Sequence, residues 1–401
     1  MFTKKIIHIK DYIPNQIDVD SSDFYLQGWP VNLCKKYLNF NDKYSVEIWR
    51  PDSIEEPISK EIGGIKAKIF PVKKVGRFYY SDSLISALKR ELSKNQVIIH
   101  HHLPHNFFFY TVARLMRNYP LIAHHHGNDP PILEYDFYFD KSFFKKITRL
   151  PLISFRRFLD FRVMNNIDYY LSVGIGSLKY SLKYLSRDKI SLFNGGTDFD
   201  IMKPFDKLSS RKKVGLPMDK KIILTVGSTT EIKGSNIAIE IFPLLKKEID
   251  NLEIYWVGDR NNKNNSLTKL EEVGINCIGR KSRDEELPYF YNSADLYVNF
   301  STHPSLTDIG GINNAIIEAL GCNIPVVSMK LKNFKNPNLV NKLGKLPTNK
   351  LDLIQNILNL LEKPCANFSS RRIVKKYYSW QNILMELDLK YKNLFRIYYG
   401  N

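Results

Sequence analysis

The sequence predicts an α/β protein with two domains, each built on a parallel, doubly wound β-sheet. At 401 residues the chain is long enough for two domains with separate hydrophobic cores. Short apolar runs alternate with helical stretches, which is the pattern of parallel sheets with helical crossovers. A polar stretch at 207–213 separates two such series and is typical of an interdomain linker.

The first series of elements precedes this linker. Its predicted strands lie at 5–9, 45–49, 67–70, 96–100, 120–124, 168–173 and 190–193, and its helices at 31–38, 83–92, 111–118 and 177–185. The second series has predicted strands at 221–227, 252–259, 275–279, 294–298 and 325–327, with a helix at 315–320. Ligands of such sheets bind outside the carboxyl ends of the strands. Functional residues are therefore expected in the loops that follow the strands.

Composition and charge narrow the class of protein. The contents of 43% hydrophobic and 25% charged residues are those of a soluble globular protein. We expect no transmembrane helix, because no apolar run of about 18 residues occurs. We also expect no signal peptide, because residues 1–12 have basic flanks and lack a signal-peptide core. The four cysteines lack metal-binding spacing and suit a reducing cytoplasm: Cys34, Cys277, Cys322 and Cys365. The net charge of +18 favours a polyanionic partner, but no nucleic-acid recognition module is present.

One stretch, 303–328, has the character of a ligand site. Gly310 and Gly311 allow the backbone to approach a ligand closely. An asparagine can cap the helix that follows, and such a helix start presents free amides to a phosphate. Asn314 and Glu318 are four residues apart and so face the same side of that helix.

This stretch resembles the donor-nucleotide motif of family 4 of the retaining glycosyltransferases. The match lies in Glu-Ala-Leu-Gly-Cys at 318–322 and Pro-Val-Val at 325–327. The resemblance implies that Glu318 accepts hydrogen bonds from the ribose hydroxyls of the donor. The family's first acidic residue would fall at Gly310, where this chain has no carboxylate, and Asp308 lies two positions earlier.

Further segments carry the same resemblance. Gly227, Ser228 and Lys233 match the family's Gly-Arg…Lys-Gly element, with the arginine replaced by Ser228. In that element the lysine neutralises the leaving diphosphate, so Lys233 is assigned this role. Gly28 is what remains of a glycine-rich loop against donor or acceptor. His126 matches the position where related proteins place a histidine beside the donor sugar.

The resemblance also implies the domain boundaries. Residues 194–204 resemble the connection that ends the first domain in this family. We therefore assign 1–204 to an acceptor domain and 205–375 to a nucleotide-sugar domain, with 376–401 packing back on the first. The implied architecture is GT-B, in which two Rossmann-like domains face a cleft.

Histidines cluster after two predicted strands of the first domain. His100, His101, His102 and His105 follow one strand, and His124, His125 and His126 follow the other. Clustered histidines can be metal ligands. Consecutive residues of a strand point to opposite faces, so each histidine triplet can offer only some of its side chains to one metal ion. The alternative to a metal site is that most of these histidines are partly buried, hydrogen-bonded residues at the strand ends. A third interpretation takes His126 alone as a cleft residue.

A basic and aromatic segment lies at 140–166. Seven basic residues stand among apolar ones: Lys141, Lys145, Lys146, Arg149, Arg156, Arg157 and Arg162. This pattern is typical of a helix on an anionic membrane surface. Equally, its aromatic face can belong to the core.

The resulting prediction is a retaining, metal-independent glycosyltransferase that needs no cofactor. Its expected partners are a nucleotide-sugar, a glycan or lipid-linked acceptor and an anionic membrane surface. We expect it in the cytoplasm, peripheral on the inner face of the cell membrane. Two alternatives stay open. The missing carboxylate at Gly310 and arginine at Ser228 favour a catalytically impaired binding subunit, and the same fold also carries sugar-nucleotide epimerases and phosphorylases.

Overall fold

The computed structural model describes residues 3–10, 29–75, 78–126, 143–301, 311–363 and 370–400. Contacts divide the chain into a first unit, Met1–Gly195 with Ile383–Asn401, and a second unit, Gly196–Asn382. The boundaries at 204 and 375 drawn from the sequence differ from these. Phe199 and Met202 pack in a core cluster of the second unit, and Thr197 N donates a 2.8 Å hydrogen bond to Tyr378 O. These contacts place the connecting segment in the second unit.

The described elements of the first unit alternate as predicted. In chain order they are β1 (Lys4–Ile9), α1 (Trp29–Phe40), β2 (Ser45–Asp52), β3 (Ile58–Ile62), β4 (Ile65–Pro71), β5 (Lys73–Val75), β6 (Phe78–Tyr80), α2 (Asp82–Lys94), β7 (Gln96–His102), α3 (Phe107–Leu115), β8 (Leu121–His125), α4 (Phe143–Val163), β9 (Tyr169–Ser172), α5 (Ile175–Ser181) and β10 (Ile190–Leu192). Eight strands form one sheet in the order β10-β9-β8-β7-β1-β2-β4-β3. Only the edge strand β3 runs antiparallel among the described strands of this sheet.

Strand β3 is an element that the sequence analysis missed. It pairs with β4 through a tight turn, with Ile62 opposite Ile65. Most of its residues are exposed, so it lacks the apolar run by which the other strands were recognised. The neighbouring β5 and β6 form a separate two-stranded hairpin.

The described elements of the second unit also alternate. They are α6 (Lys207–Val214), β11 (Lys221–Val226), α7 (Ser235–Glu248), β12 (Leu252–Val257), α8 (Ser266–Glu272), β13 (Asn276–Ile278), α9 (Leu287–Ser293), β14 (Leu296–Asn299), α10 (Asn314–Gly321), β15 (Val326–Ser328), α11 (Lys350–Glu362) and α12 (Ser370–Tyr378). A last helix, α13 (Trp380–Tyr399), follows, and its residues from Ile383 onward belong to the first unit.

The sheet of the second unit is parallel, in the order β13-β12-β11-β14-β15. Alternate residues of its strands enter two different cores, as the pleat requires. Leu224 and Tyr297 lie in one core with α10, whereas Ile223 and Leu296 lie in the other with α7 and α11. The strand order reverses between β11 and β14, which is where doubly wound sheets bind ligands. The predicted class, α/β with doubly wound parallel sheets, is confirmed.

Within the described ranges, no helix combines the length and the apolar character needed to cross a bilayer.

Candidate functional site

The candidate site lies at the carboxyl ends of β11, β14 and β15 in the second unit. Gly227 follows β11 directly and has φ 151°, a value that favours glycine. Its carbonyl accepts a 3.0 Å hydrogen bond from Trp256 Nε1, and a Cβ on Gly258 would stand only 2.2 Å from the same oxygen. The backbone after β11 is therefore fixed by close packing.

Lys233 ends a short 3-10 turn, Glu231–Lys233, just before α7. The aliphatic part of its side chain lies over Gly227, since a Cβ there would be 3.8 Å from Lys233 Cδ. Gly234 has φ 91°, and a Cβ on it would stand 2.3 Å from the Phe300 carbonyl. Only glycine therefore lets this turn approach the end of β14. Burial lowers the pKa of Lys233.

Ser228 occupies the position of the family's arginine. Its hydroxyl shares a 3.2 Å hydrogen bond with the Thr230 hydroxyl. A serine supplies no positive charge, so the arginine's contribution is absent at this position.

Glu318 lies in α10 and is 4% exposed. Arg283 Nε donates to its Oε1 at 2.9 Å, and Tyr291 OH donates to its Oε2 at 2.8 Å. Burial, reinforced by the Glu318 charge, raises the pKa of Tyr291 well above its usual value. Burial alone would lower the pKa of Arg283, but the Glu318 carboxylate raises it. Both carboxylate oxygens are thus held in one position by fixed donors.

The start of α10 was expected to carry an asparagine cap. Asn313 is the N-cap residue by its backbone, but its side chain makes no capping hydrogen bond. Its Oδ1 instead accepts a 3.0 Å hydrogen bond from Lys330 Nζ. Asn314 is the first residue of α10 and lies one helical turn before Glu318. Gly311 precedes these residues and is half-buried.

The sequence analysis missed Lys330, Arg283 and Tyr291. Lys330 lies in the turn after β15 and is only 3% exposed. Burial, together with the nearby charge of Lys233, lowers its pKa to about 7. A lysine three positions after the Pro-Val-Val of 325–327 is the one signal that could have identified it. Gly310, Asp308 and Gly28, named from the sequence, lie outside the described residues.

His126 lies in the first unit, next to four buried imidazoles. The chain of hydrogen bonds runs from His124 through His100, Tyr391, His8 and His102 to His126, with separations of 3.1, 2.7, 3.3, 3.0 and 2.9 Å. We call these five histidines, together with Tyr391, the histidine ladder. Its imidazole rings stack on one face of the sheet, because His8 lies opposite His100 and His102 lies opposite His124 on neighbouring strands. Burial lowers the pKa of His8 and of His126 to about 3.

Both interpretations of the histidines have a geometric basis. Ring nitrogens of His8, His100 and His102, and of His102, His124 and His126, lie within 4.8 Å of one another. Neutral imidazoles of this spacing can hold a transition metal. The same nitrogens already pair with one another in the ladder. His101 packs against Phe109 on the opposite face, as the alternation of strand residues predicts.

Fold comparison identifies the class first. Over 98% of this chain, the structure is similar to all of sucrose-phosphate synthase from Thermosynechococcus elongatus, with 16% identity and a TM-score of 0.68. Anabaena Alr3699/HepE in complex with UDP and glucose matches 97% of this chain along its whole length, with 14% identity and a TM-score of 0.64. The fold is therefore GT-B.

Sequence comparison gives matches to part of the chain. Residues 220–363 match the family model described as Glycosyl transferases group 1. Protein CapJ of Staphylococcus aureus is 27% identical over 256 residues, which are 62% of this chain and 56% of that protein. D-inositol 3-phosphate glycosyltransferase 2 of Catenulispora acidiphila is 29% identical over 155 residues, 36% of this chain and 35% of that one. The chain thus spans about half of the first relative and about a third of the second. The predicted resemblance to the group 1 glycosyltransferases is confirmed for residues 220–363, which lie in the second unit.

Proposed function

We propose that the protein is a retaining glycosyltransferase that moves a sugar from a nucleotide-diphosphate-sugar to an acceptor. The observation that carries the proposal is the grouping of Glu318, Lys233 and the start of α10 at the strand-order reversal of the second unit. A nucleoside diphosphate offers the complementary groups: ribose hydroxyls for the carboxylate, and phosphates for the lysine and helix amides. The family match to 220–363 covers all of these residues.

In the proposed reaction, the bond between the anomeric carbon and the diphosphate oxygen breaks, and its electron pair stays on the diphosphate. Lys233 and the amides of α10 stabilise that negative charge as it develops. The acceptor oxygen forms the new bond on the same face of the sugar and passes its proton to the departing diphosphate oxygen. His126 is proposed to contact the sugar. Fixed positive groups take the role of a metal ion, so we propose that the reaction needs neither metal nor cofactor.

A binding subunit without activity is the second candidate. It is favoured by Ser228, which replaces the arginine and bonds to Thr230 instead of carrying charge. Such a protein would bind a nucleotide-sugar without turning it over.

One experiment separates the two candidates. A panel of nucleotide-sugars, beginning with UDP-sugars, is screened for a rise in melting temperature and for release of nucleoside diphosphate. We expect one donor to do both, and Lys233→Met to lower its turnover by about 100-fold with a smaller change in KM. Lys247→Met, exposed on α7, is the matched control. Stabilisation without turnover would identify the binding subunit. If no nucleotide-sugar produces either effect, the proposed donor site is contradicted.

The acceptor side is proposed to involve an anionic membrane surface. Helix α4 leaves Phe155, Phe158 and Phe161 exposed by 48%, 56% and 69%, while Asp160 is buried. The alternative that these three aromatic side chains belong to the core is therefore wrong. Arg157 and Arg162 are exposed on the same helix, so apolar and basic groups share one surface.

A groove beside α4 adds to this surface. It has a volume of about 750 Å³ and is lined by Arg114, Arg117 and Arg162 together with Phe107 and Phe158. Within the described ranges none of these arginines pairs with a carboxylate. Arginines in a groove with an aromatic rim suit phosphate headgroups at a membrane. We therefore propose a glycan or lipid-linked acceptor at the inner face of the cell membrane.

A further inference from the structure

The second unit carries a buried lysine that the roles assigned above do not use. Lys330 is 3% exposed, and the one hydrogen bond of its ammonium group among the described residues is to the neutral amide of Asn313. A buried ammonium group is costly unless an anion pairs with it. No described carboxylate forms an ion pair with Lys330. Its burial therefore points to an anion that belongs beside it.

The position of Lys330 shows which anion. Lys330 follows β15, and Lys233 follows β11. These two strands flank β14, so both lysines emerge at the same edge of the sheet. Lys233 is close enough to lower the pKa of Lys330 through its charge. Each lysine also lies beside the start of a helix, Lys233 before α7 and Lys330 at the Asn313 cap of α10. Two neighbouring cations at helix starts favour a doubly charged anion.

Asn313 supports the same conclusion. An N-cap asparagine normally accepts a hydrogen bond from an amide of the first helical turn. Here its Oδ1 orients Lys330, so the Asn313 side chain does not cap α10. The Ile316 amide donates to Asn313 O at 3.1 Å, whereas the amides of Asn314 and Ala315 have no acceptor among the described residues. The lysine and these amides therefore serve one ligand.

We propose that Lys330, together with Lys233, contacts the diphosphate of the nucleotide donor. Lys330 thereby supplies the positive charge of the family's arginine, whose position Ser228 occupies. The proposal rests on the donor site proposed above and adds a residue to it. The positive charge that is missing after β11 is supplied from the turn after β15. The diphosphate site thus keeps two cations although its sequence motif has lost one.

The test measures three ligands by calorimetry: the nucleoside, its diphosphate and inorganic pyrophosphate. We expect Lys330→Met to weaken the diphosphate and pyrophosphate by about 10- to 100-fold, as loss of a hydrogen bond to a charged group does. Affinity for the nucleoside should stay unchanged. Lys342→Met, exposed in the same unit, is the control, and the melting temperature reports folding.

The outcomes separate the two proposals. If Lys330→Met binds the nucleoside diphosphate like the parent, the role of Lys330 is overturned and the donor site stands. The same conclusion follows if the variant loses as much affinity for the nucleoside as for the diphosphate. If the parent binds pyrophosphate through Lys330 but no nucleotide, the anion site stands and the proposed function fails. If the parent binds neither pyrophosphate nor nucleoside diphosphate, the anion site is wrong. A variant that fails to fold is replaced by Lys330→Gln, to which the same criteria apply.

Discussion

Arg283 and Glu318 form an ion pair in which the guanidinium Nη2 lies 2.6 Å from Oε1 of the carboxylate. The Glu318 side chain is 6% exposed and that of Arg283 is 39% exposed. Tyr291 holds the second oxygen. The carboxylate is therefore fixed before any ligand arrives, and it needs no reorganisation to accept hydrogen bonds from a ribose.

This arrangement predicts the effect of Glu318→Gln. We expect affinity for the nucleoside to fall about 10- to 100-fold, because a charged acceptor is lost. We also expect stability to fall by about 1 kcal/mol, because Arg283 loses its partner but can still reach solvent. Calorimetry measures the first effect and denaturant unfolding the second. Glu362→Gln, exposed at the end of α11, should change neither. Unchanged nucleoside binding would place the ribose elsewhere.

We predict that titration of Lys330 gives ligand affinity and protein stability opposite dependences on pH. Its pKa falls from 10.5 to about 7 in the folded protein because burial and Lys233 disfavour the charge. The described groups that face it are Lys233 and Asn313. The unfolded chain keeps the proton up to about pH 10. Between these values the unfolded state binds more protons, so this lysine increases stability as the pH rises.

Anion binding requires the ammonium form of Lys330. Affinity for the nucleoside diphosphate should therefore decrease as the pH rises above about 7, and binding at pH 8 should take up a proton. Calorimetry in buffers of different ionisation enthalpy measures that proton, and unfolding at each pH measures stability. In Lys330→Met both trends attributed to this lysine should disappear. A parent with pH-independent affinity from pH 6 to 9 would contradict the prediction.

From the hydrogen bonds of the histidine ladder we predict that the protein holds no resident metal ion. The ring nitrogens already pair with one another or with the Tyr391 hydroxyl over 2.7 to 3.3 Å, and a metal ion would have to break these hydrogen bonds to bind. We expect less than stoichiometric transition metal by elemental analysis and an unchanged melting temperature after chelation. His126→Ala should lose turnover with little loss of stability. A zinc-dependent rise in melting temperature, reversed by chelator, would identify a metal site instead.

Local patterns in the sequence were sufficient to predict most of the fold. Apolar runs located the strands around Val97 and Leu224, and the motif around Glu318 indicated where the candidate site lies. Strand β3 was missed because its exposed residues resemble a loop. The boundary near Thr197 differed because its contact to Tyr378 joins segments far apart in the chain.

The site residues that escaped prediction share one property. Arg283 and Lys330 acquire their partners only when the strand order brings distant loops together. No local pattern specifies that a lysine after β15 stands near one after β11. In the same way, the sequence left open whether Phe158 is core or surface, because helical periodicity does not say which face is covered.

The final prediction concerns attachment of α4 to membranes. Each Lys or Arg near an anionic surface contributes about 1 kcal/mol, so Arg157 and Arg162 with the groove arginines can give reversible binding. The exposed rings of Phe158 and Phe161 add an apolar contribution that salt does not screen. We therefore expect the parent to sediment with liposomes in proportion to their anionic lipid, and only partly to be released by high salt.

Two variants separate these contributions in the sedimentation assay. Arg157→Glu with Arg162→Glu should abolish the dependence on anionic lipid, whereas Phe158→Ser with Phe161→Ser should remove the salt-resistant fraction. Arg372→Glu, which lies in the second unit, is the charge control. The donor site is distant in sequence from all of these positions, so nucleotide binding should be unchanged. Equal sedimentation of the parent and the arginine variant, or none by the parent at physiological salt, would refute the membrane surface and leave the donor site unaffected.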